Sequence, residues 1–142
     1  MPLTDGIDQA VQDVALTLLA AAPGPPALVV CDGIVPTGTL PPYALVYTTL
    51  SRPSEDPDNA LDGRTRVWVA RWIVHCVGAD ATTSRAVAQR VRSALLDVRP
   101  VISGLACGLI RMETDAQPPQ RDETTGRVVM DSVVTYRMRA TS

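Results

Sequence analysis

Apolar residues at positions 7, 10, 11, 14, 18 and 19 recur at spacings of three and four. That is the period of a helix with one buried stripe, and it predicts a helix over 5–22. Thr4 or Asp5 is placed to cap it, Asp8 suits the positive end of the helix dipole, and Pro23-Gly24-Pro25-Pro26 stops it. Two short apolar runs, 27–30 and 43–50, are set apart by glycine and proline and predict strands. Over 66–77 the period becomes two. Trp68, Ala70, Trp72, Val74 and Cys76 fall on one face, and Val67, Val69, Arg71, Ile73, His75 and Val77 on the other. A strand wet on one side alternates more cleanly, so the second face is expected to be covered by a helix or by another subunit. Gly78 ends this strand.

Thr82, Thr83 or Ser84 can cap a second helix running to about 98. Its stripe of Val87, Val91, Ala94, Leu95 and Val98 opposes a wet side of Arg85, Gln89 and Arg92. Pro100 closes it, and 105–114 and 127–139 predict two more strands. In the last of these Val128, Met130, Val134, Tyr136 and Met138 share a face that also holds Ser132. The order predicts an α+β fold: a mostly antiparallel β-sheet of four to five strands packed by two α-helices, in one domain over 1–142. Trp72 with Val87, Val91 and Leu95 forms the expected core between sheet and second helix. The polar stretches 51–63 and 115–126 read as loops, long enough in so small a domain to suggest binding or assembly.

Composition narrows the function more than the fold. The formal charge is −2, and all thirteen basic residues are arginine. Arginine pairs carboxylates through a planar fork, which suits polar subunit interfaces. With a pI near 5.2 and no basic run, the chain is not expected to grip nucleic acid through phosphates. No apolar run approaches the length of a membrane span and the amino end is acidic, so folding in a cytoplasm is expected. The three cysteines, Cys31, Cys76 and Cys107, sit among apolar neighbours and read as buried, reduced thiols.

Candidate chemistry is sparse. His75 is the only histidine, so any Ser-His-Asp or Cys-His arrangement must use it. Cys76 lies on the opposite face of the same strand, which keeps the two side chains apart, and His75 is read as a packing or interface residue. A zinc site would have to be assembled from cysteines on three separate elements. There is no Walker loop and no dinucleotide fingerprint. The two tryptophans, spaced for a strand beside Ala70 and Val74, read as core rather than as a base-stacking platform. No catalytic residue, metal or cofactor is expected.

Several segments together resemble the tail terminator family of long-tailed bacteriophages, also called tail completion or minor tail proteins. They are Pro42-Tyr43-Ala44-Leu45-Val46-Tyr47, a loop ending at Gly63, and Trp72-Ile73-Val74-His75-Cys76-Val77-Gly78. A helix with Ala86, Ala88, Val91-Arg92 and Ala94-Leu95-Leu96 follows, then Asp122-Glu123 ahead of a strand over 131–139. The similarity spans roughly 43–139 and rests on structural positions. Arg71 and His75 within the long strand, and the proline-rich approach over 23–42, depart from it. The resemblance implies a six-subunit ring at the head-proximal end of the virion tail, assembled in the host cytoplasm. Such a ring stops growth of the tail tube protein, joins the head-tail connector protein, and lets DNA through its lumen without sequence-specific binding.

The acids concentrate in 51–63 and 113–126. Arg52 stands against Glu55, Asp56, Asp58 and Asp62, and Arg121 against Glu113, Asp115, Asp122 and Glu123. A strand running down, a helix returning and a strand running down again would put these stretches at opposite ends of the sheet, one for each face of a ring. With Arg71 and His75, the residues Arg52, Glu55, Asp56, Asp58, Asp62, Asp115, Arg121, Asp122 and Glu123 are the candidate assembly surface. The alternatives are a phage head-closure or connector protein and a host regulatory domain binding a small ligand, with an enzyme using His75 behind them.

Overall fold

The computed structural model describes residues 6–24, 26–51, 67–114, 117–124 and 126–142. Among these residues helix α1 spans Ile7–Ala20, α2 spans Ala81–Leu95, and seven strands form one sheet. Three are substantial: β2 (Tyr43–Ser51), β3 (Val67–Gly78) and β7 (Val129–Thr141). The short ones are β1 (Val30–Asp32), β4 (Ala106–Cys107), β5 (Arg111–Thr114) and β6 (Gln120–Asp122). β3 lies antiparallel between β2 and β7, while β1 pairs with β2 in parallel. The remaining strands share the far edge of β7 in succession, β4 opposite Ala140, β5 opposite Arg137 and β6 opposite Asp131. The fold is α+β with a mostly antiparallel sheet.

The period-two reading of the strands sets the layers. Registered rows Ala44–Cys76–Ser132, Val46–Val74–Val134, Thr48–Trp72–Tyr136 and Leu50–Ala70–Met138 face one side of the sheet. Both helices pack there, α1 through Ile7, Val11, Ala15 and Leu19, and α2 through Val87, Val91 and Leu95. Trp72 is fully buried and its Nε1 donates to the Val11 carbonyl at 3.0 Å, which ties α1 to the central strand. The buried polar side chains are also spoken for. Gln12 donates to Asp32 Oδ1 at 2.7 Å and to the Val46 carbonyl at 3.1 Å, and accepts from the Thr48 hydroxyl. Ser84 Oγ donates to the Cys76 carbonyl at 2.7 Å, pinning the start of α2 to the end of β3.

Several local expectations are corrected. α1 begins after Gly6, whose φ of 77° is left-handed and which offers no side-chain cap; Thr4 and Asp5 lie outside the described residues. Asp80, not a following Thr or Ser, caps α2 by accepting from the Thr83 N–H at 2.8 Å. α2 stops at Leu95 because Asp97 takes a φ of 63° and the chain then pairs across to Ile110, Asp97 N–H to Ile110 carbonyl and Ile110 N–H to Val98 carbonyl, both at 2.8 Å. The single strand expected over 105–114 is therefore split into β4 and β5. The first expected strand, 27–30, is shifted to Val30–Asp32. Part of the stretch expected as a loop over 115–126 is strand β6, held by the free edge of β7. These additions make seven strands where four to five are expected.

Candidate functional site

With α1 and α2 on one side, no helix among the described residues lies over the other face of the sheet. Its rows are Tyr43–Val77–Asp131, Leu45–His75–Val133, Tyr47–Ile73–Thr135, Thr49–Arg71–Arg137 and Ser51–Val69–Arg139. At the Tyr43 end, Cys31, Tyr43, Leu45, Val77 and Val129 bury one another together with Val35. Farther along, the face opens: Tyr47 is 41% exposed, and Ile73, Val133 and Thr135 are half-buried. The sequence identifies this second face as the one needing a cover, and no element among the described residues provides a complete one.

Among the described residues, ion pairs cross the open face at Arg71 and at His75. Arg71 Nε donates to both Glu113 carboxylate oxygens, at 2.9 and 3.0 Å, and its Nη1 donates to Ser51 Oγ at 3.3 Å. Glu113 reaches this position because it is the extra residue where β5 shifts register against β7. His75 Nδ1 lies 2.7 Å from Asp131 Oδ2, and the Tyr47 ring stands edge-on to the imidazole with centroids 5.7 Å apart. Asp131 Oδ1 is buried and finds no donor among the described residues. The hydrogen bond that the protonated imidazole donates to Asp131 raises the His75 pKa; burial opposes it, and the charges of Asp131 and Asp122 add to it.

His75 thus gains stability from its protonated form. Its folded pKa stands above the unfolded value of about 6.5, so the contribution is complete below that pH and is lost as pH rises through the folded pKa. Denaturant unfolding at several pH values should show wild type exceeding His75→Gln by a margin that shrinks between mildly acidic and mildly alkaline conditions. A constant margin would mean the pair is only a packing contact.

The candidate residues divide sharply. Arg71 and His75 share the open face, two register rows apart. Asp122 joins that face opposite Val129. A hydrogen bond from the Thr124 N–H holds its carboxyl below the usual range. Arg121 lies on the opposite side of β6 and pairs with Glu123 at 2.5 Å, both well exposed. Arg52, Glu55, Asp56, Asp58, Asp62 and Asp115 lie outside the described residues. Sequence reasoning missed Arg111 and Arg137, which register places beside Arg71.

Little acid-base chemistry is assembled. Cys76 is buried on the helix side, its thiol pushed up to about 12 by desolvation, away from His75 on the open side. Cys31 and Cys107 are buried free thiols, also raised by desolvation. Among the described residues no group of three His, Cys, Asp or Glu side chains could hold a metal. A cleft of about 330 Å³ beside Tyr43 and Arg127 and one of about 410 Å³ between α2 and Pro118–Pro119 contain neither His nor any carboxylate.

No protein-family model matches this chain, and no curated protein matches it in sequence. Among solved structures it is similar to a chain from the virion of a native gene transfer agent particle. The identity is 18% and the TM-score 0.62, with 96% of this chain and 95% of that one covered. That likeness is one of fold.

Proposed function

We propose that this chain is a structural virion protein, a ring-forming tail terminator that caps the tail tube and offers the joining surface to the head connector. The observation that carries the reading is the fold shared, over nearly the whole of both chains, with a component of a gene transfer agent virion. The resemblance of 43–139 to tail terminators supports the finer assignment. The open sheet face supports it as well, because a closed ring needs lateral contacts between two different patches of each subunit. On this reading the chain works by surface complementarity, with no reaction to catalyse.

The acid-rich segment that leaves β2 after Ser51 and returns before Val67 departs from the end of the sheet where β7 finishes, opposite the end that carries β6. It is proposed to serve one axial face of the ring, its acids also keeping DNA from adhering in the lumen. Electron microscopy of the purified protein added to polymerising tail-tube protein provides the test. Six-fold rings seated on one end of tubes that have stopped growing are expected, and tubes that lengthen unchanged would overturn the assignment. Rings that leave tubes alone but join heads would instead support a head-closure protein, which the same fold match accommodates.

A further inference from the structure

Register lines up three arginines on the open face. Arg71 lies opposite Arg137, and Arg137 lies opposite Arg111, in one row across β3, β7 and β5. Like charges directly opposite one another repel, and the outer two are neutralised, Arg71 by Glu113 at 2.9 Å and Arg111 by Asp97. Arg137, in the middle, is exposed, and among the described residues no hydrogen bond or ion pair reaches its guanidinium. Apart from Glu113, which Arg71 already holds, the acids of this face sit at its other end, Asp131 opposite Val77 and Asp122 opposite Val129. Six strand positions separate Asp131 from Arg137, about 20 Å, too far for the chain to close the pair on itself. His75 already holds Asp131. Asp122 keeps its charge ionised and has no ion pair among the described residues.

We propose that the open sheet face is a contact between copies of this chain, in which Arg137 of one copy pairs with Asp122 of the next. The face is basic at one end and acidic at the other, so two copies complement each other when the basic end of one meets the acidic end of its neighbour. Half-buried Ile73, Val133 and Thr135 lie between the two ends and supply apolar contact. An anionic polymer is a poorer fit: two of the three arginines are already neutralised, and phosphate binding draws on several free cations at once. Because the same face serves both copies, the contact is self-complementary about a two-fold axis, and it stands beside the two-patch lateral contacts that the ring reading requires.

Sedimentation velocity of the full chain tests it. Arg137→Glu and Asp122→Arg should each weaken self-association about tenfold or more, the scale of a close charge pair across an interface, and the double swap should restore it. The wild-type association should weaken in high salt. Asp122→Asn, which keeps the oxygen that accepts from Thr124, checks that any loss comes from charge and not from a damaged turn. The contact is overturned if the double swap stays as weak as the single variants. It is also overturned if neutralising Glu55, Asp56, Asp58 and Asp62 abolishes association while Asp122→Asn leaves it unchanged, or if Arg137→Glu alters only binding to duplex DNA. A wild type that associates through the swap-sensitive contact but stops at a dimer upholds the inference and sinks the ring. A wild type that stays monomeric sinks both.

Discussion

Replacing Trp72 with alanine is expected to cost roughly 3–5 kcal/mol, the range for removing a large aromatic side chain from a core. Trp72 is the largest of the fully buried side chains and lies in the middle of β3 beside Tyr136, which is itself 1% exposed. The substitution opens a cavity between three strands and two helices, and neighbours held in register cannot collapse into it. It also removes the hydrogen bond from the indole N–H to the Val11 carbonyl. Trp72→Phe should recover most of the apolar loss and leave about 1 kcal/mol for the missing hydrogen bond. Thermal and urea unfolding of the two variants check this ordering; equal losses in both would show that the indole's bulk matters less than its bond to α1.

The second large effect is expected at Gly78. An alanine Cβ there would stand 2.4 Å from the Ser84 backbone nitrogen and 2.7 Å from the Thr83 carbonyl carbon. Both are main-chain atoms of the first turn of α2, so no rotamer change relieves the clash. Either α2 lifts from the sheet or β3 gives way, and the Ser84–Cys76 hydrogen bond goes with it. Gly78→Ala should cost about 3 kcal/mol, at the upper end for overpacking. Unfolding by denaturant measures it, and the neighbouring exposed Ala79→Ser is a control expected to change little. A Gly78→Ala protein as stable as wild type would mean that α2 is not anchored at this point.

The elements legible in the sequence are those whose own residues carry the period. The alternation around Trp72 and the stripe Val87, Val91 and Leu95 need no knowledge of neighbours, and the structure puts them where the pattern does. β6 escaped because Gln120-Arg121-Asp122 has no apolar alternation of its own; the free edge of β7 makes it a strand. The end of α2 escaped for a related reason, since the pairing of Asp97 and Val98 with Ile110 is a tertiary contact. At the surface, Arg71 and His75 attract attention as polar residues in an apolar strand. Arg137 does not, because an arginine two residues before another on a half-wet strand is unremarkable. Its meaning comes only from the register that sets it between Arg71 and Arg111, contributed by strands far apart in the chain.

The place of β7 bears on how the molecule comes into being. This strand pairs with β3 along its whole inner edge and with three short strands along its outer edge, with partners as distant in sequence as Val67 and Thr141. Such long-range pairing makes loop closure precede reward, so folding is expected to be slow and cooperative, with little sheet formed before the last strand arrives. A nascent chain that has emerged only through α2 has its helices and the three strands β1, β2 and β3 but no arginine row. Every row of the open face takes a residue from β7, so the surface that would recognise another copy is completed in the same step as the core beneath it. Premature association of half-made chains is thereby avoided without a separate safeguard.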